Sequence, residues 1–377
     1  MQIEQSSWAD GAWQPSPPGR LEGAQLVLVF GAGNLLRREV LGQVATVYPD
    51  AVLFGCSTSG EICDTVVSDD SVVVTAVQFR NTKVAVTGAR LADGDDGYQT
   101  GLDLAGSLDP SGLRHVFVLS DGVAVNGTRL VQGLTEALPD GITITGGLAG
   151  DGDRFEETLV LLDGQPEPGV VSLAALYGDS IRVGFGSMGG WDPFGPERVI
   201  TRASNNVLYE LDGHSALDLY KRYLGEHARD LPGSGLLFPL SIRTGEKGEG
   251  LVRTIIGVSE ADQSLTFAGE MPEGSYARLM KANFDRLIDG ATGAAQTSFA
   301  ALSAAQPELA LLISCVGRKL VLKQRIDEEV EGVRDVLGEG PVLTGFYSYG
   351  EISPFTPGAR CELHNQTMTI TTLREAA

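Results

Sequence analysis

Three stretches of the chain repeat one hydrophobic plan. The first opens with the apolar run Leu26-Val-Leu-Val-Phe30, followed by Leu36, Val40, Val44 and Val47 at helical spacing. Val52-Leu-Phe-Gly55 then leads into a polar turn ending Gly60-Glu61-Ile62, and the residues from Ser71 to Phe79 predict a closing strand. The second stretch begins at His115-Val-Phe-Val-Leu119. It carries helical Leu130, Leu134 and Leu138, then Ile142 to Gly146, a turn ending Gly150-Asp151, and a strand from Thr158 to Leu162. The third begins at Leu309 to Ser314. It continues with Leu322, Ile326, Val330, Val333 and Leu337, then Val342-Leu-Thr-Gly345, Gly350-Glu351-Ile352, and a strand from Thr367 to Leu373.

Each stretch reads strand, helix, strand, Gly-rich turn, strand. The opening strands are apolar throughout, as in a sheet covered on both faces. Gln366-Thr-Met-Thr-Ile370 alternates, which predicts a half-exposed antiparallel strand. The fold class is therefore mixed α and β: repeated strand-helix-strand-strand units, with mixed or antiparallel sheets packed against helices, in two similar halves. A doubly wound parallel sheet is the alternative. Between the second and third stretches lie a strand Ile181 to Phe185, a loop Gly189 to Pro193, a helix Ala216 to Leu224, and an Ala-rich helix from Phe284 to Leu302. A break near Ser204 divides the chain into domains 24–204 and 205–377, after a loose lead-in at 1–23. The turns at Gly55–Glu61 and Gly345–Glu351 are expected to face a shared cavity.

Composition narrows the function. With 42% hydrophobic and 20% charged residues the 377-residue chain can bury a core. A net charge of −21 without a basic run argues against nucleic acid, whose phosphates need a Lys/Arg patch. No apolar run approaches the roughly 20 residues of a membrane span. The first residues lack the basic and apolar blocks of a signal peptide. Cys56, Cys63, Cys315 and Cys361 are scattered and form no CxxC pair, so neither a disulfide framework nor a structural zinc site is expected. Together these features predict a cytoplasmic protein with reduced thiols.

The Gly-rich turns permit positive φ or close backbone approach, and their N–H groups can form an anion nest. They are neither a phosphate-binding loop nor a dinucleotide fingerprint, because the spacing and the Gly-Lys-Ser/Thr ending are absent. Glu61, Asp151 and Glu351 occupy matching places, where an acid can cap a helix, pair with an arginine or accept a ligand ammonium. Ser314-Cys-Val-Gly-Arg318 ends a strand and begins a helix. There a thiol pKa can be lowered, and Arg318 can offer a fork to a carboxylate. The competing reading is a buried Cys and a structural ion pair. Leu363-His-Asn-Gln-Thr367 supplies a row of hydrogen-bonding groups, and Cys315 with His364 is a minority candidate for a nucleophile and base.

Gly345-Phe-Tyr-Ser-Tyr-Gly-Glu-Ile352 with Leu363-His-Asn-Gln-Thr-Met368 resembles the C-terminal signature of FIST proteins, and Ser314-Cys-Val-Gly-Arg318 their Cys-x-Gly-Arg element. Phe54-Gly-Cys-Ser-Thr-Ser-Gly-Glu-Ile62, Leu119-Ser-Asp-Gly122, Gly146-Gly-Leu-Ala-Gly-Asp151 and Asn205-Asn-Val-Leu-Tyr-Glu-Leu-Asp-Gly213 fit the same family. The resemblance implies a non-enzymatic sensory protein that binds a small ligand, an amino acid or other carboxylate, and signals through a partner. Its other implication is a haem-binding, nitric-oxide-responsive regulator of a histidine kinase, with His364 the first ligand to test. No motif fixes His115 or His214, and His227 sits in a polar helical context. Carried onto this chain, the candidate ligand site comprises Arg318, Glu351, His364, Asn365, Tyr349, Tyr347, Cys315, Ser57, Ser59 and Glu61. Arg318 would hold the carboxylate, and Glu351 or Glu61 the ammonium.

Overall fold

The computed structural model describes residues 1–37, 39–245, 250–303, 305–355 and 358–376. Each repeat builds a mixed sheet. The opening strands Leu26–Gly31, Leu113–Ser120 and Leu309–Cys315 run parallel to Val52–Ser57, Thr143–Leu148 and Val342–Ser348 of the same unit. The crossovers are the helices Gly33–Leu36 with Glu39–Val47, Gly127–Ala137, and Val316–Leu322 with Ile326–Leu337. The closing strands Val72–Gln78, Val170–Tyr177 and Met368–Glu375 return antiparallel on the other side of the opening strand. This return distinguishes the fold from a doubly wound parallel sheet.

Period-two alternation explains why the opening strands are apolar throughout. Leu28 and Phe30, Phe117 and Leu119, and Leu311 and Ile313 enter one core shared by the three sheets. The residues between them, Val27 and Val29, Val116 and Val118, Ala310 and Leu312, pack under the helices of their own unit. Both faces are dry, so neither tolerates a polar residue without a partner.

The short strand after each turn leaves its own sheet. Glu61–Cys63 joins Val342–Ser348, Gly350–Pro354 joins Thr143–Leu148, and Val160–Leu162 joins Val52–Ser57 through Val160 and Cys56. The first unit thus extends the third, the third extends the second, and the second extends the first. This cyclic exchange arranges the sheets around the common core and brings the three turns into contact.

Three expectations are corrected. The closing strand of the second unit is Val170–Tyr177 and not Thr158 to Leu162, where the short strand Val160–Leu162 joins the first sheet instead. The last strand is buried along most of its length, not half-exposed, because it lies between Ile181–Met188 and Leu309–Cys315. Its threonines are paired hydroxyl to hydroxyl: Thr369 with Ser187 at 2.9 Å, Thr371 with Thr145 at 2.7 Å and Thr372 with Ser298 at 2.8 Å. A polar alternation that looks solvent-facing is here a satisfied internal seam. The segment expected as a loose lead-in contains the strand Gln2–Ala9, paired antiparallel to Val72–Gln78. Its inward side chains include Glu4 and Ser6, which hid the strand from an apolar pattern. The Glu4 carboxylate is held by Arg20 Nε, Leu21 N and the Tyr48 hydroxyl at 2.7–2.9 Å.

Residues Asp192 to Lys281 form a separate sheet inserted into the third unit. It packs on the helix Ala216–Leu224 through Leu217, Tyr220 and Leu224. Its terminal strands, Leu251–Arg253 and Ile255–Ser259, are consecutive in the chain, so the sheet bends back on itself. The helix Phe284–Ala301 then returns to the main body and lays Ala291, Ala294 and Ala295 against the third sheet.

Candidate functional site

A cleft of about 670 Å³ opens where the three units meet. Its walls are Thr58 to Glu61 of the first turn, residues of the 151–157 loop that follows the second, and Val316, Lys319 and Leu320 of the third unit. Ala32, Gly33, Asn34 and Arg37 complete the rim.

The walls are fixed by hydrogen bonds between units. Ser59 N donates to Tyr347 O, and Tyr347 N to Gly60 O, each at 2.8 Å. Ser59 Oγ donates to Gly152 O and accepts from Gly152 N, both at 3.1 Å. Asp151 accepts the N–H groups of Phe155, Glu156 and Glu157 at 2.9–3.1 Å, and also the Tyr349 hydroxyl. Phe155 in turn stacks on Tyr349 with ring centroids 4.3 Å apart. Lys319 reaches across the cleft, donating from Nζ to Ser59 O at 2.8 Å and pairing with Asp69. Gly60, at φ +134°, is favoured by its backbone conformation, and a Cβ there would displace the end of the Lys319 side chain. Seven carboxylates line the cleft (Glu61, Asp69, Asp70, Asp151, Asp153, Glu156 and Glu157) against three cations (Arg37, Arg154 and Lys319). The field inside favours a ligand that carries an ammonium group.

Of the residues singled out in the sequence, Ser59 and Glu61 line this cleft. Tyr347 and Tyr349 brace it from behind, so of the two turns expected to face a shared cavity only Gly55–Glu61 does, and Gly345–Glu351 backs the cleft without lining it. Ser57 is buried and ties the first turn to the second unit, its Oγ accepting from Leu159 N at 2.8 Å. Arg318, Glu351, Cys315, His364 and Asn365 are all buried and do not line it.

Arg318 is a correction. Its side chain has 0% exposure, and Nε and Nη2 both donate to Glu329 Oε2, at 3.0 and 2.7 Å. Nη2 also donates to Leu287 O, and Nη1 to Gly189 O and Gln366 O. No donor remains for a ligand carboxylate, and the structural ion pair is what the motif encodes. The Cys315 expectation reverses too. Burial and the nearby Glu351 charge push its thiol up, overriding any benefit from the helix N-terminus. His364 Nε2 is 2.8 Å from Ser353 O, and Asn365 Nδ2 donates to His364 O at 3.0 Å. A nucleophile–base pair would therefore be buried, outside the cleft, with a neutral thiol.

The two buried histidines, His115 and His364, do not open onto the cleft. His364 lines none of the described cavities, and His115 is buried with its ring nitrogens 2.8 and 3.1 Å from the Thr143 and Thr145 hydroxyls. Among the described residues, no group of three or more His, Cys, Asp and Glu side chains is placed to hold a metal ion.

Lys319, Asn34 and Arg37 escaped the sequence reading. Lys319 directly follows Arg318, and neighbouring positions on a helix face different ways. One side chain thus enters the core while the next enters the cleft.

Glu61 and Glu351 are structural twins. Thr58 Oγ1 and Ser348 Oγ, each three residues before its acid, donate to one carboxylate oxygen. Ser71 and Thr367 donate both N–H and hydroxyl to the other, at 2.6–3.2 Å. Burial pushes the Glu61 carboxyl up to about 7 and Glu351 up to about 8, and these hydrogen bonds offset only part of the effect. The folded protein therefore keeps two protons that the unfolded chain releases near 4.5, and stability falls as pH rises through that window. Burial pulls His115 down to about 3 and His364 to about 4, so these groups oppose the trend below 6.5 and are silent above it. The melting temperature should accordingly fall between pH 6.5 and 8, and Glu61→Gln with Glu351→Gln should flatten that slope. A double variant whose slope equals that of wild type would show that these carboxyls are not the titrating groups.

The family model of the FIST N domain matches residues 25–214, and that of the FIST C domain matches residues 216–354. No curated protein matches the chain. Among solved structures, cyanuric acid hydrolase from A. caulinodans aligns at 10% identity with a TM-score of 0.21, over 78% of this chain and 100% of that one. So weak a likeness carries no argument about fold or chemistry. FIST domains are associated with sensing and signal transduction. With both domain models matched in succession over most of its length, the chain belongs to the FIST family.

Proposed function

We propose that the protein senses a small, polar metabolite in the cleft between the three units and reports its occupancy to a partner signalling protein, such as a histidine kinase. The observation that carries this reading is the cleft itself. Its volume of about 670 Å³ falls inside the range of about 300–1,000 Å³ usual for small-molecule sites. The surplus of carboxylates favours an ammonium group on the ligand, which the exposed Asp69 and Asp70 can accept, whereas Glu61 is buried with both oxygens already taken. Lys319 and Arg37, both on the wall, can take an anionic end, so an amino acid satisfies both signs. Because each wall comes from a different unit, a ligand that touches all three couples them, which gives a binding event a route to the outer surface.

A thermal-shift screen of amino acids and amines tests the proposal. A ligand of this site should raise the melting temperature of the wild type, and Lys319→Gln should weaken its binding by about tenfold. Hits that bind Lys319→Gln as tightly as wild type would move the site elsewhere.

A further inference from the structure

We propose that a second cleft, between the inserted sheet and the helix Gly127–Ala137, is an oxyanion site organised by Arg253 and Thr128. It would take the phosphate or carboxylate group of a small polar molecule. The site shares no lining residue with the first cleft and does not depend on what binds there.

The cleft encloses about 730 Å³, with Arg253 on one wall and Thr128, Gln132 and Thr135 on the other. Arg253 is 3% exposed, yet among the described residues no carboxylate lies within salt-bridge distance of it. Its Nη1 donates to Leu363 O at 3.0 Å and to Val252 O at 3.4 Å, and Nε donates to Glu270 O at 3.4 Å. Nη2 has no partner among the described residues. The contrast with Arg318 is instructive: that buried guanidinium has its own carboxylate and every nitrogen engaged, whereas this one has three carbonyls and a free edge.

Burial pulls the Arg253 guanidinium down to about 10, against the raising effect of Glu362 and Glu270 at longer range. Water has been taken from a cation that received no counter-ion in return. A second orphan lies across the same cleft. The Thr128 hydroxyl is buried and has no hydrogen-bond partner among the described residues. Buried polar groups are rarely left so. Gly269 completes the seat, because a Cβ there would lie 2.7 Å from Arg253 Nε and 3.0 Å from Cζ.

Glu136, Asp140, Glu270 and Glu362 also line the cleft, beside Arg360. They keep it from being a general basic patch, so recognition must come from direct hydrogen bonding and not from long-range attraction. An oxyanion bound to Nη2 and to the Thr128 hydroxyl would satisfy both orphans. It would also bridge the inserted sheet to the second unit.

Calorimetric titration of the full chain with inorganic phosphate and, separately, succinate tests this. Wild type is expected to show saturable one-site binding of at least one probe. Phosphate alone points to phosphate esters, succinate alone to carboxylates, and both to oxyanions in general. Arg253→Lys keeps the charge but loses the planar fork, and should bind about tenfold more weakly. Thr128→Val removes an unpaired hydroxyl. It should therefore fold as well as wild type and bind about threefold more weakly. Absence of saturable binding of either probe to wild type would overturn the proposal, as would wild-type affinity in folded Arg253→Lys. If Arg253→Lys does not fold, Thr128→Val decides alone: weaker binding supports the site, and unchanged affinity overturns it.

Discussion

Gly345→Ala should leave little folded protein. Gly345 faces Leu312 in the parallel pair at the centre of the third sheet. A Cβ at this place would overlap the Leu312 carbonyl oxygen and lie 2.7 Å from its carbonyl carbon. The obstacle is backbone, so no rotamer relieves it and the two strands would have to part. Gly55 and Gly146 hold the same register against Val29 and Val118, with the same overlap. The loss should exceed about 4 kcal/mol, a size reached by few single substitutions. Circular dichroism melts should show each of the three alanine variants either insoluble or melting many degrees lower. Gly42→Ala is the counter-case, since it lies within the helix Glu39–Val47 and its Cβ would meet nothing within 4 Å. It should stabilise by roughly 0.5–1 kcal/mol. A wild-type melt for Gly345→Ala would contradict the strand spacing described above.

Arg318→Ala should be nearly as damaging. The substitution strands Glu329 in the core, where among the described residues only Ser314 Oγ at 3.1 Å and the Tyr347 hydroxyl at 2.6 Å still donate to it. It also releases the carbonyls of Gly189 and Leu287, which join the inserted sheet to the main body. Breaking a buried pair on one side costs about 3–5 kcal/mol, because the remaining charge is uncompensated. Urea unfolding should show that loss, and adding Glu329→Gln to Arg318→Met should recover part of it. Wild-type stability in Arg318→Ala would mean that the pair does not hold the core.

The three-unit plan was legible because glycine is forced at Gly55, Gly146 and Gly345 and because each opening strand is dry on both faces. The matching places of Glu61 and Glu351 were also legible, and the structure gives them one hydrogen-bonding pattern. Asp151 departs from it because its turn is a residue shorter, and its carboxylate instead gathers the N–H groups of the following loop. The exchange of short strands was hidden. A strand's side-chain pattern reports what covers its faces, not which strand lies at its edge. Which of the two readings of Arg318 holds was hidden for a related reason. Its partner Glu329 lies on the next helix, and sequence spacing does not show that the two side chains meet. The cleft was the least legible part, since Asn34, Gly60, Asp151 and Lys319 come together only through the cyclic arrangement of the sheets.

The central claim is that the cleft between the three units holds the sensed ligand. Asn34 is exposed at its rim, in the short helix Gly33–Leu36, so Asn34→Trp should obstruct the cleft while leaving the core intact. The decisive measurement is the calorimetric affinity of a thermal-shift hit for this variant beside wild type. The account predicts binding at least about tenfold weaker, with an unchanged melting temperature of the free protein. Equal affinity in the two proteins would contradict it.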